Sequence, residues 1–186
     1  TGASITAVDN EPAALDGLKE NIVKHGLSER VDPVCASMTE LPFTESSFDL
    51  IWSEGSAYIM GVPRALAEWK LFLQDGGFLV ISDLVWLTEQ PSPESEAFWK
   101  GEYPDMQTVT TRVRQMREAG YEVLDHFPLS LEAWRNYIDP LQERVRQLLP
   151  EMKGSAALED LHRELELYGR YLGSDFGYRF FILQKV

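Results

Sequence analysis

Four short apolar runs of the sequence each end in polar residues, and these polar ends are the first candidates for chemistry. Asp9 follows "ASITAV", Ser37 follows "VDPVCA", Ser53 and Glu54 close "FDLIWSE", and Asp83 follows "FLVIS". In an open parallel sheet, ligands bind beyond the carboxyl ends of the strands. A carboxylate there offers two acceptor oxygens and no donor, which suits the hydroxyl groups of a ribose. The pattern predicts a nucleotide-type ligand site at one edge of a sheet.

Asp9 also has a plainer interpretation, because a helical pattern begins directly behind it. Asp and Asn are common N-cap residues, so Asp9 or Asn10 could do no more than start that helix. Glu54 has the same alternative at the next helix, with Tyr58 then in the core. Several polar ends that meet at one edge are harder to explain by capping.

Several well-known catalytic signatures are missing from the sequence. It has no G-x-x-x-x-G-K-[ST] phosphate loop, no G-x-G-x-x-G turn and no G-x-S-x-G nucleophile turn. No Tyr is followed four residues later by Lys, which removes the usual catalytic pair of one large dehydrogenase class. His25, His126 and His162 have no metal-ligand spacing, so no metal site is predicted.

The elements that must position the polar ends are alternating strands and helices. The first 85 residues alternate β-type apolar runs with helical patterns, one of which places Leu15, Leu18 and Ile22 on one face. The "DGG" segment is interpreted as a turn into the strand "FLVISD". Nearly unbroken apolar strands between helices indicate a parallel sheet covered on both faces. We therefore expect an α/β fold with a doubly wound, mostly parallel sheet.

Beyond Asp83 the alternation loosens. "EQPSPESE" is interpreted as a loop and "FWKGEYPD" as an irregular segment. A helix, the strand "YEVLDHF", two helical stretches and a last strand, "GYRFFILQKV", follow. Pro140 is expected to kink or divide the first of the two stretches. Core packing is the simplest explanation of their apolar stripes.

Charge and composition narrow the classes of partner. The 186 residues include 30 acidic and 17 basic ones, a formal net charge of −13. Such a charge repels phosphate backbones, so nucleic acid is not an expected partner. No apolar stretch approaches the roughly 18 residues that cross a bilayer, so no membrane association is expected. The single Cys35 is expected to be a buried thiol, and the lack of a disulfide favours a cytoplasmic protein.

Three segments together resemble a known family: "ITAVDNEPAALDGLKEN", "ASMTELPFTESSFDLIWSEGSAYIM" and "LFLQDGGFLVISD". They are similar to class I methyltransferases that use S-adenosylmethionine, with most likeness to the branch related to ubiquinone and menaquinone biosynthesis. The resemblance covers Ala3 to Asp83, and more loosely "AGYEVLDHF" and "FFILQK". It implies a Rossmann-like sheet with an antiparallel C-terminal strand, and methyl transfer to a small-molecule acceptor.

The resemblance also implies a set of cofactor-binding residues. Asp9 would accept hydrogen bonds from both ribose hydroxyls of S-adenosylmethionine, and Asn10 would lie beside the adenine. Ser37 and Met38 stand where many relatives have an aspartate and a small residue, so Ser37 would bind the adenine amino group. Ser53 would lie near the methionine part of the cofactor.

The expected chemistry asks little of the protein. The sulfonium is already an activated leaving group, so positioning and desolvation are the main requirements for an in-line displacement. A hydroxyl or amine acceptor is helped by a base. Glu54 and Tyr58, in "WSEGSAY", are the candidate catalytic residues.

The domain organisation departs from the family at two segments. Residues 1–129 are expected to form the core with a loop insertion at 84–106, and residues 176–186 the last core strand. Residues 130–175 are expected to be a helical insertion, where the family has a short hairpin. This insertion could be a lid over the acceptor or the surface of a homodimer. The aromatic residues at 86, 98, 99 and 103 suggest an apolar or aromatic acceptor, or simply a core.

Two other functions stay open. A nicotinamide-dependent oxidoreductase could bind its ribose through Asp9 in the same way. A methyltransferase-like protein without catalysis could serve as an interaction module, and "ASM" in place of the family's acid keeps that alternative alive.

The family fold includes a first strand and a glycine-rich turn that the sequence does not contain. That strand lies between the strand ending at Asp9 and the strand ending at Ser53. We therefore expect a truncated N-terminus, with roughly 45–75 further residues in the working protein, the usual length of a strand–helix unit plus a leading helix.

Overall fold

The computed structural model describes residues 2–186, which form two sheets and seven helices. In chain order the elements are β1 (Ile5–Asp9), α1 (Pro12–Lys24), β2 (Val31–Cys35), β3 (Phe48–Ser53), α2 (Ala57–Met60), α3 (Val62–Phe72), β4 (Leu73–Trp86), α4 (Pro93–Glu102), α5 (Val109–Glu118), β5 (Tyr121–Pro128), α6 (Leu131–Leu148), α7 (Ala156–Tyr171) and β6 (Phe176–Lys185). The chain divides into two compact units, the first ending at Glu45 and the second running from Ser46 to Val186.

The first unit is built on a parallel pair of strands. β1 and β2 are in register from Ile5 opposite Val31 to Asp9 opposite Cys35, so the two strands end side by side. Cys35 is exposed, and the prediction of a buried thiol is therefore wrong. Side chains along a strand alternate between its two faces, so apolar neighbours in sequence do not bury a residue at the strand's end.

α1 covers this pair of strands and has a defined start and stop. Glu11 is its N-cap and Pro12 lies in the first turn, where the missing N–H of proline costs no hydrogen bond. Gly26 follows the helix with a φ of 65°, a conformation that glycine adopts without strain. Leu15 and Ile22 are buried, and they attach the helix to the strands.

The second unit contains the larger sheet, with strand order β3-β4-β6-β5. β3 runs parallel to β4, while β6 runs antiparallel to both β4 and β5. β3, β4 and β5 therefore point the same way, and β6 alone points the other way. The prediction of a mostly parallel sheet with an antiparallel C-terminal strand is confirmed.

β4 is longer than the predicted strand. It spans Leu73–Trp86 and so continues beyond Asp83. The "DGG" segment is a bulge inside the strand rather than a turn before it, because residues 74–77 stand opposite the single residue Asp49. A Cβ atom on Gly77 would lie 2.9 Å from a backbone carbonyl oxygen, so the bulge requires glycine at that position.

α4 occupies a segment that was predicted to be a loop. Its first turn holds Pro93, Glu94 and Glu96, all residue types that favour a helix start. The backbone N–H and the hydroxyl of Ser92 both donate to Asp175 Oδ2, at 2.7 and 2.6 Å. The Pro and Ser residues therefore mark the beginning of a helix and not an extended linker.

α6 and α7 fill the segment between β5 and β6, where two helical stretches are predicted. α6 is one helix, so Pro140 does not divide it. The two helices bury Trp134 and Tyr168 in an apolar cluster that also includes Trp99 and Phe176. The Trp99 and Phe176 rings meet nearly edge-on, with centroids 5.2 Å apart, a favourable geometry for aromatic pairs.

Candidate functional site

The strand ends of the first unit carry the residues predicted to bind adenosine. Asp9 ends β1, and the Ala36 N–H donates to the Asp9 carbonyl oxygen at 3.0 Å. The segments with Asn10 on one side and Ser37 and Met38 on the other therefore leave the sheet at the same end. We call these four predicted residues, Asp9, Asn10, Ser37 and Met38, the strand-end edge.

The Asp9 carboxylate is exposed and half engaged. Its Oδ1 accepts a hydrogen bond from the Glu11 N–H at 2.8 Å, while Oδ2 accepts none from the residues that the structure describes. Glu11 caps α1 by accepting from the Ala13 N–H at 3.2 Å, so neither Asp9 nor Asn10 is the N-cap. An open carboxylate oxygen at the end of a parallel strand fits the ribose of S-adenosylmethionine.

Ser37 is held by a local turn. Its Oγ lies 2.8 Å from Thr39 Oγ1 and accepts from the Thr39 N–H at 3.2 Å. An adenine amino group would share an oxygen that already has these partners. The roles of Ser37 and Met38 stay predictions.

In the second unit, the end of β3 carries the candidate catalytic residues. Ser53 is buried, and its Oγ lies 2.6 Å from Ser56 Oγ. Glu54 is exposed, and its Oε1 accepts from the Trp52 indole N–H at 2.6 Å. Glu54 does not cap α2, whose N-cap is Ser56. Tyr58 is 43% exposed, so it is not a core residue.

Glu54 and Tyr58 line one cavity of about 560 Å³ within the second unit. Its volume lies in the range of about 300–1,000 Å³ that is typical of small-molecule sites. Fifteen described residues form its wall, and eight of them are aromatic. The aromatic residues are Tyr58, Trp99, Tyr103, Trp134, Tyr137, Tyr168, Tyr178 and Phe180. We call this space the aromatic cavity.

A buried ion pair supports one wall of the aromatic cavity. Arg112 Nε lies 2.8 Å from Asp83 Oδ2, and both side chains are buried. The Tyr103 hydroxyl donates to Asp83 Oδ1 at 2.9 Å and accepts from Arg112 Nη2 at 2.9 Å. The other guanidinium N–H groups donate to Asp105 and Gln115. All five donors of the guanidinium are therefore used, and the Tyr103 ring is fixed.

Asp83 is consequently not a ligand-facing strand end, and that prediction is wrong. β4 continues to Trp86, so Asp83 lies inside the strand and is 1% exposed. Burial raises the pKa of Asp83, against the opposing effect of the neighbouring Arg112. Its carboxylate positions Arg112 and Tyr103 and does not reach a ligand.

Three phenols of the aromatic cavity, those of Tyr103, Tyr168 and Tyr178, have a raised pKa. The Tyr168 hydroxyl donates to Glu164 Oε1 at 2.8 Å. Burial and then the adjacent Glu164 raise the pKa of Tyr168, and burial raises the pKa of Tyr178 to about 12. Burial likewise raises the pKa of Tyr103. Burial therefore favours the protonated form of these three hydroxyls.

The cavity residues that sequence reasoning missed include four on α6 and α7: Trp134, Tyr137, Glu164 and Tyr168. Their stretches were interpreted as core packing, which holds in part, because Trp134 and Tyr168 belong to the apolar cluster. The available signal was the departure from the family hairpin at 130–175. A helical pair in place of a hairpin indicates an added structural role, and the aromatic residues of this pair line the cavity.

Residues 2–186 contain neither a metal-ligand cluster nor a membrane-spanning helix. No group of three or more His, Cys, Asp and Glu side chains there could hold a metal ion. Within the same residues no helix combines the length and apolarity needed to cross a bilayer.

Comparison with known proteins places the first part of the chain in a family. The family described as "Methyltransferase domain" matches residues 1–81. The sterol 24-C-methyltransferase of Pneumocystis carinii is 24% identical over 158 residues, which are 78% of this chain and 42% of that protein. The chain spans less than half the length of the curated relatives it matches.

Solved structures share the fold. A methyltransferase from Geobacter sulfurreducens, in complex with S-adenosylhomocysteine, is 16% identical with a TM-score of 0.75, over 97% of this chain and 75% of that one. The [4+2]-cyclase SpnF is 22% identical with a TM-score of 0.74, over 98% and 66% of the two chains. At such identities the likeness establishes the fold and leaves the reaction to the site.

The family match covers the three segments on which the resemblance rests, except for the last residues of the third. The strand order and directions of the second unit fit the same fold. The branch related to ubiquinone biosynthesis stays a prediction. Residues 1–81 therefore match the methyltransferase-domain family, and the chain as a whole has the fold of solved S-adenosylmethionine-dependent methyltransferases.

Proposed function

We propose that the protein transfers a methyl group from S-adenosylmethionine to a small-molecule acceptor bound in the aromatic cavity. The observation that carries the proposal is the Asp9 carboxylate, exposed at the end of β1 with one oxygen open. In a methyltransferase domain, which residues 1–81 match, such a carboxylate can accept hydrogen bonds from the ribose of the cofactor.

On this proposal, the strand-end edge binds the adenosine part of the cofactor. Asp9 accepts from both ribose hydroxyls, Asn10 lies beside the adenine, and Ser37 and Met38 contact its amino edge. For the methionine part of the cofactor, Ser53 stays the residue predicted from the sequence. When bound, the cofactor supplies a methyl group on a sulfonium, an activated leaving group that needs little further assistance.

Glu54 and Tyr58 are the proposed residues for the acceptor. A carboxylate can take the proton that a hydroxyl or amine loses during transfer, and Glu54 lies at the cavity wall. The Tyr58 ring packs against Tyr103, with centroids 5.5 Å apart. Since Tyr103 is itself fixed by Arg112, Tyr58 has one firm neighbour that limits its orientation.

We assign α6 and α7 to the acceptor site, rather than to a homodimer surface. Trp134 and Tyr137 of α6 and Glu164 and Tyr168 of α7 line the cavity. Because the two helices supply four residues of the cavity wall, a dimer interface is not needed to explain them. Light scattering that finds a dimer, together with a variant at Tyr137 that dissociates it, would contradict this assignment.

Titration calorimetry with two ligands tests the proposed function. The protein is titrated with S-adenosylhomocysteine and, separately, with NADH. We expect S-adenosylhomocysteine to bind and NADH not to bind. Binding of NADH alone would support the oxidoreductase, and binding of neither ligand would support the inactive interaction module; both outcomes would overturn the proposal. Nothing in the fold or the comparisons favours either alternative.

A further inference from the structure

The charged groups of the aromatic cavity are all of one sign. Its described lining residues include Glu54, Glu102 and Glu164, and no Lys, Arg or His. Arg112, the basic residue behind the wall, uses all five donors on protein acceptors. An anionic ligand would therefore meet three carboxylates and no counter-charge.

The aromatic wall adds to this preference. The faces of Trp, Tyr and Phe rings carry partial negative charge and attract ammonium groups, by about 0.5 to 2 kcal/mol. Trp99, Trp134 and Tyr168 are buried side chains whose rings touch in pairs, so they hold fixed orientations. Rigid rings beside carboxylates are the arrangement that proteins use to bind quaternary ammonium ligands.

The glutamates have free acceptor capacity. Glu164 Oε1 accepts from the Tyr168 hydroxyl, and Glu54 Oε1 accepts from the Trp52 indole. Their second carboxylate oxygens accept nothing from the part of the chain that the structure describes. The net charge of −13 also raises the concentration of cations near the protein.

We propose that the acceptor of this methyltransferase is an amine, bound in the aromatic cavity by its rings and glutamates. The inference rests on the proposed function and names the substrate class of that site. On this inference, the three carboxylates disfavour a carrier of phosphate, diphosphate or carboxylate in the cavity.

Methyl transfer to an amine requires a free lone pair on the nitrogen. An amine that arrives as an ammonium ion first loses one proton, to Glu54 or to water. The nitrogen lone pair then forms the bond to the methyl carbon, while the carbon–sulfur bond breaks and leaves its electron pair on sulfur. The positive charge thus passes from sulfur to nitrogen, where the rings and glutamates stabilise it.

A pair of matched probes tests the inference without the cofactor. Acetylcholine and 3,3-dimethylbutyl acetate have nearly the same shape, but a carbon replaces the charged nitrogen in the second. Binding is followed by the fluorescence of the tryptophans, of which Trp99 and Trp134 lie at the cavity. We expect the cation to bind about 10-fold more tightly, the ratio that corresponds to about 1.4 kcal/mol.

A conservative variant then locates the effect. Glu164→Gln keeps an acceptor oxygen for the Tyr168 hydroxyl and removes the charge, so it should weaken acetylcholine about 3- to 10-fold and leave the neutral ester unchanged. Glu159→Gln, on the same helix and exposed outside the cavity, is the control and should change neither.

The outcomes separate this inference from the proposed function. Equal binding of the two probes, tighter binding of the neutral ester, or no binding of either overturns the amine proposal. A protein that binds S-adenosylhomocysteine but not acetylcholine refutes the amine alone. A protein that binds neither refutes both the amine and the proposed function.

Discussion

The strand-end edge and the aromatic cavity are built in opposite ways. The edge belongs to a unit with one helix and two strands, in which Leu15 and Ile22 are the buried apolar side chains among the described residues. Its polar groups are exposed or half-buried and are held by local turns. The cavity is walled by side chains drawn from residues 54–180, and a fully hydrogen-bonded ion pair supports it.

This difference separates a proposed cofactor site that is built from local turns from a proposed acceptor site that is built from distant elements. The proposed cofactor binding at the edge needs only a carboxylate and backbone turns, which a short stretch of sequence supplies. Recognition of an acceptor needs a shaped space, and several distant elements must be fixed to form it. Variants should therefore affect the edge through ligand contacts and the cavity through its supporting network.

The largest expected loss of stability comes from a variant in the network of Asp83, Tyr103 and Arg112. Arg112→Met should lower the free energy of unfolding by about 3–5 kcal/mol, because it leaves Asp83 buried without its counter-charge. Urea denaturation followed by tryptophan fluorescence measures this change in the second unit, which contains all five tryptophans.

Arg114→Met is the matched control for that variant. It lies on the same helix, is exposed and has a loose pair with Glu118 at 3.9 Å, so it should cost less than about 0.5 kcal/mol. A loss below about 1 kcal/mol for Arg112→Met would mean that the ion pair does not support the cavity.

The next effect is a loss of cofactor binding at the strand-end edge, with no change in the free energy of unfolding. Asp9→Asn keeps an oxygen for the Glu11 N–H but removes the charge that strengthens bonds to the ribose. We expect S-adenosylhomocysteine to bind about 10- to 100-fold more weakly, from the 1.5–3 kcal/mol of a charge-assisted hydrogen bond. Acetylcholine binding should not change. Asp16→Asn is the control, because Asp16 is an exposed residue of α1. An equal loss of S-adenosylhomocysteine binding in that variant would contradict the role of Asp9.

Two tyrosines of the cavity differ in the burial of their hydrogen bonds: those of Tyr103 are buried, and that of Tyr168 is partly buried. Tyr103→Phe removes a partner from both Asp83 and Arg112 and should destabilise the protein by about 1–3 kcal/mol. Tyr168→Phe removes a bond to Glu164, which solvent can replace, and should cost about 0.5–1 kcal/mol. Denaturation curves measure both, and the reverse ranking would contradict the description of the network.

The last effect appears only at alkaline pH. The pKa of Tyr178 is raised to about 12 from an ordinary 10.0, so the folded state disfavours its phenolate. The stability linked to this group is complete below pH 10 and is lost as the pH rises through 12. Tyr178→Phe should show a shallower decline over that interval, by about 2 kcal/mol. Identical pH profiles for the two proteins would contradict the burial of the hydroxyl.

The sequence made the edge predictable and the cavity much less so. The place of Asp9 at a strand end could be predicted because an apolar run, an acid and a helix follow one another within a few residues. Asp83 looked similar, but strand length depends on partners: β4 pairs with β6 past Asp83, and a buried arginine 29 positions later occupies its carboxylate.

The cavity residues of α6 and α7 had no comparable local signal. Trp134 and Tyr168 serve both the apolar cluster and the cavity wall, so their helical spacing alone indicates only packing. The α4 helix was missed because Pro and Ser were interpreted as loop residues, although a proline in the first turn is a helix-start signal.

Hydrogen exchange with each ligand in turn tests most directly the claim that the cofactor uses the edge and the acceptor uses the cavity. S-Adenosylhomocysteine should slow amide exchange just after β1 and β2, at residues 10–13 and 36–39. Acetylcholine should slow exchange in α4, α6 and α7 and leave the first unit unchanged. The account would be contradicted if S-adenosylhomocysteine gave no protection at the ends of β1 and β2, or if both ligands protected the same residues.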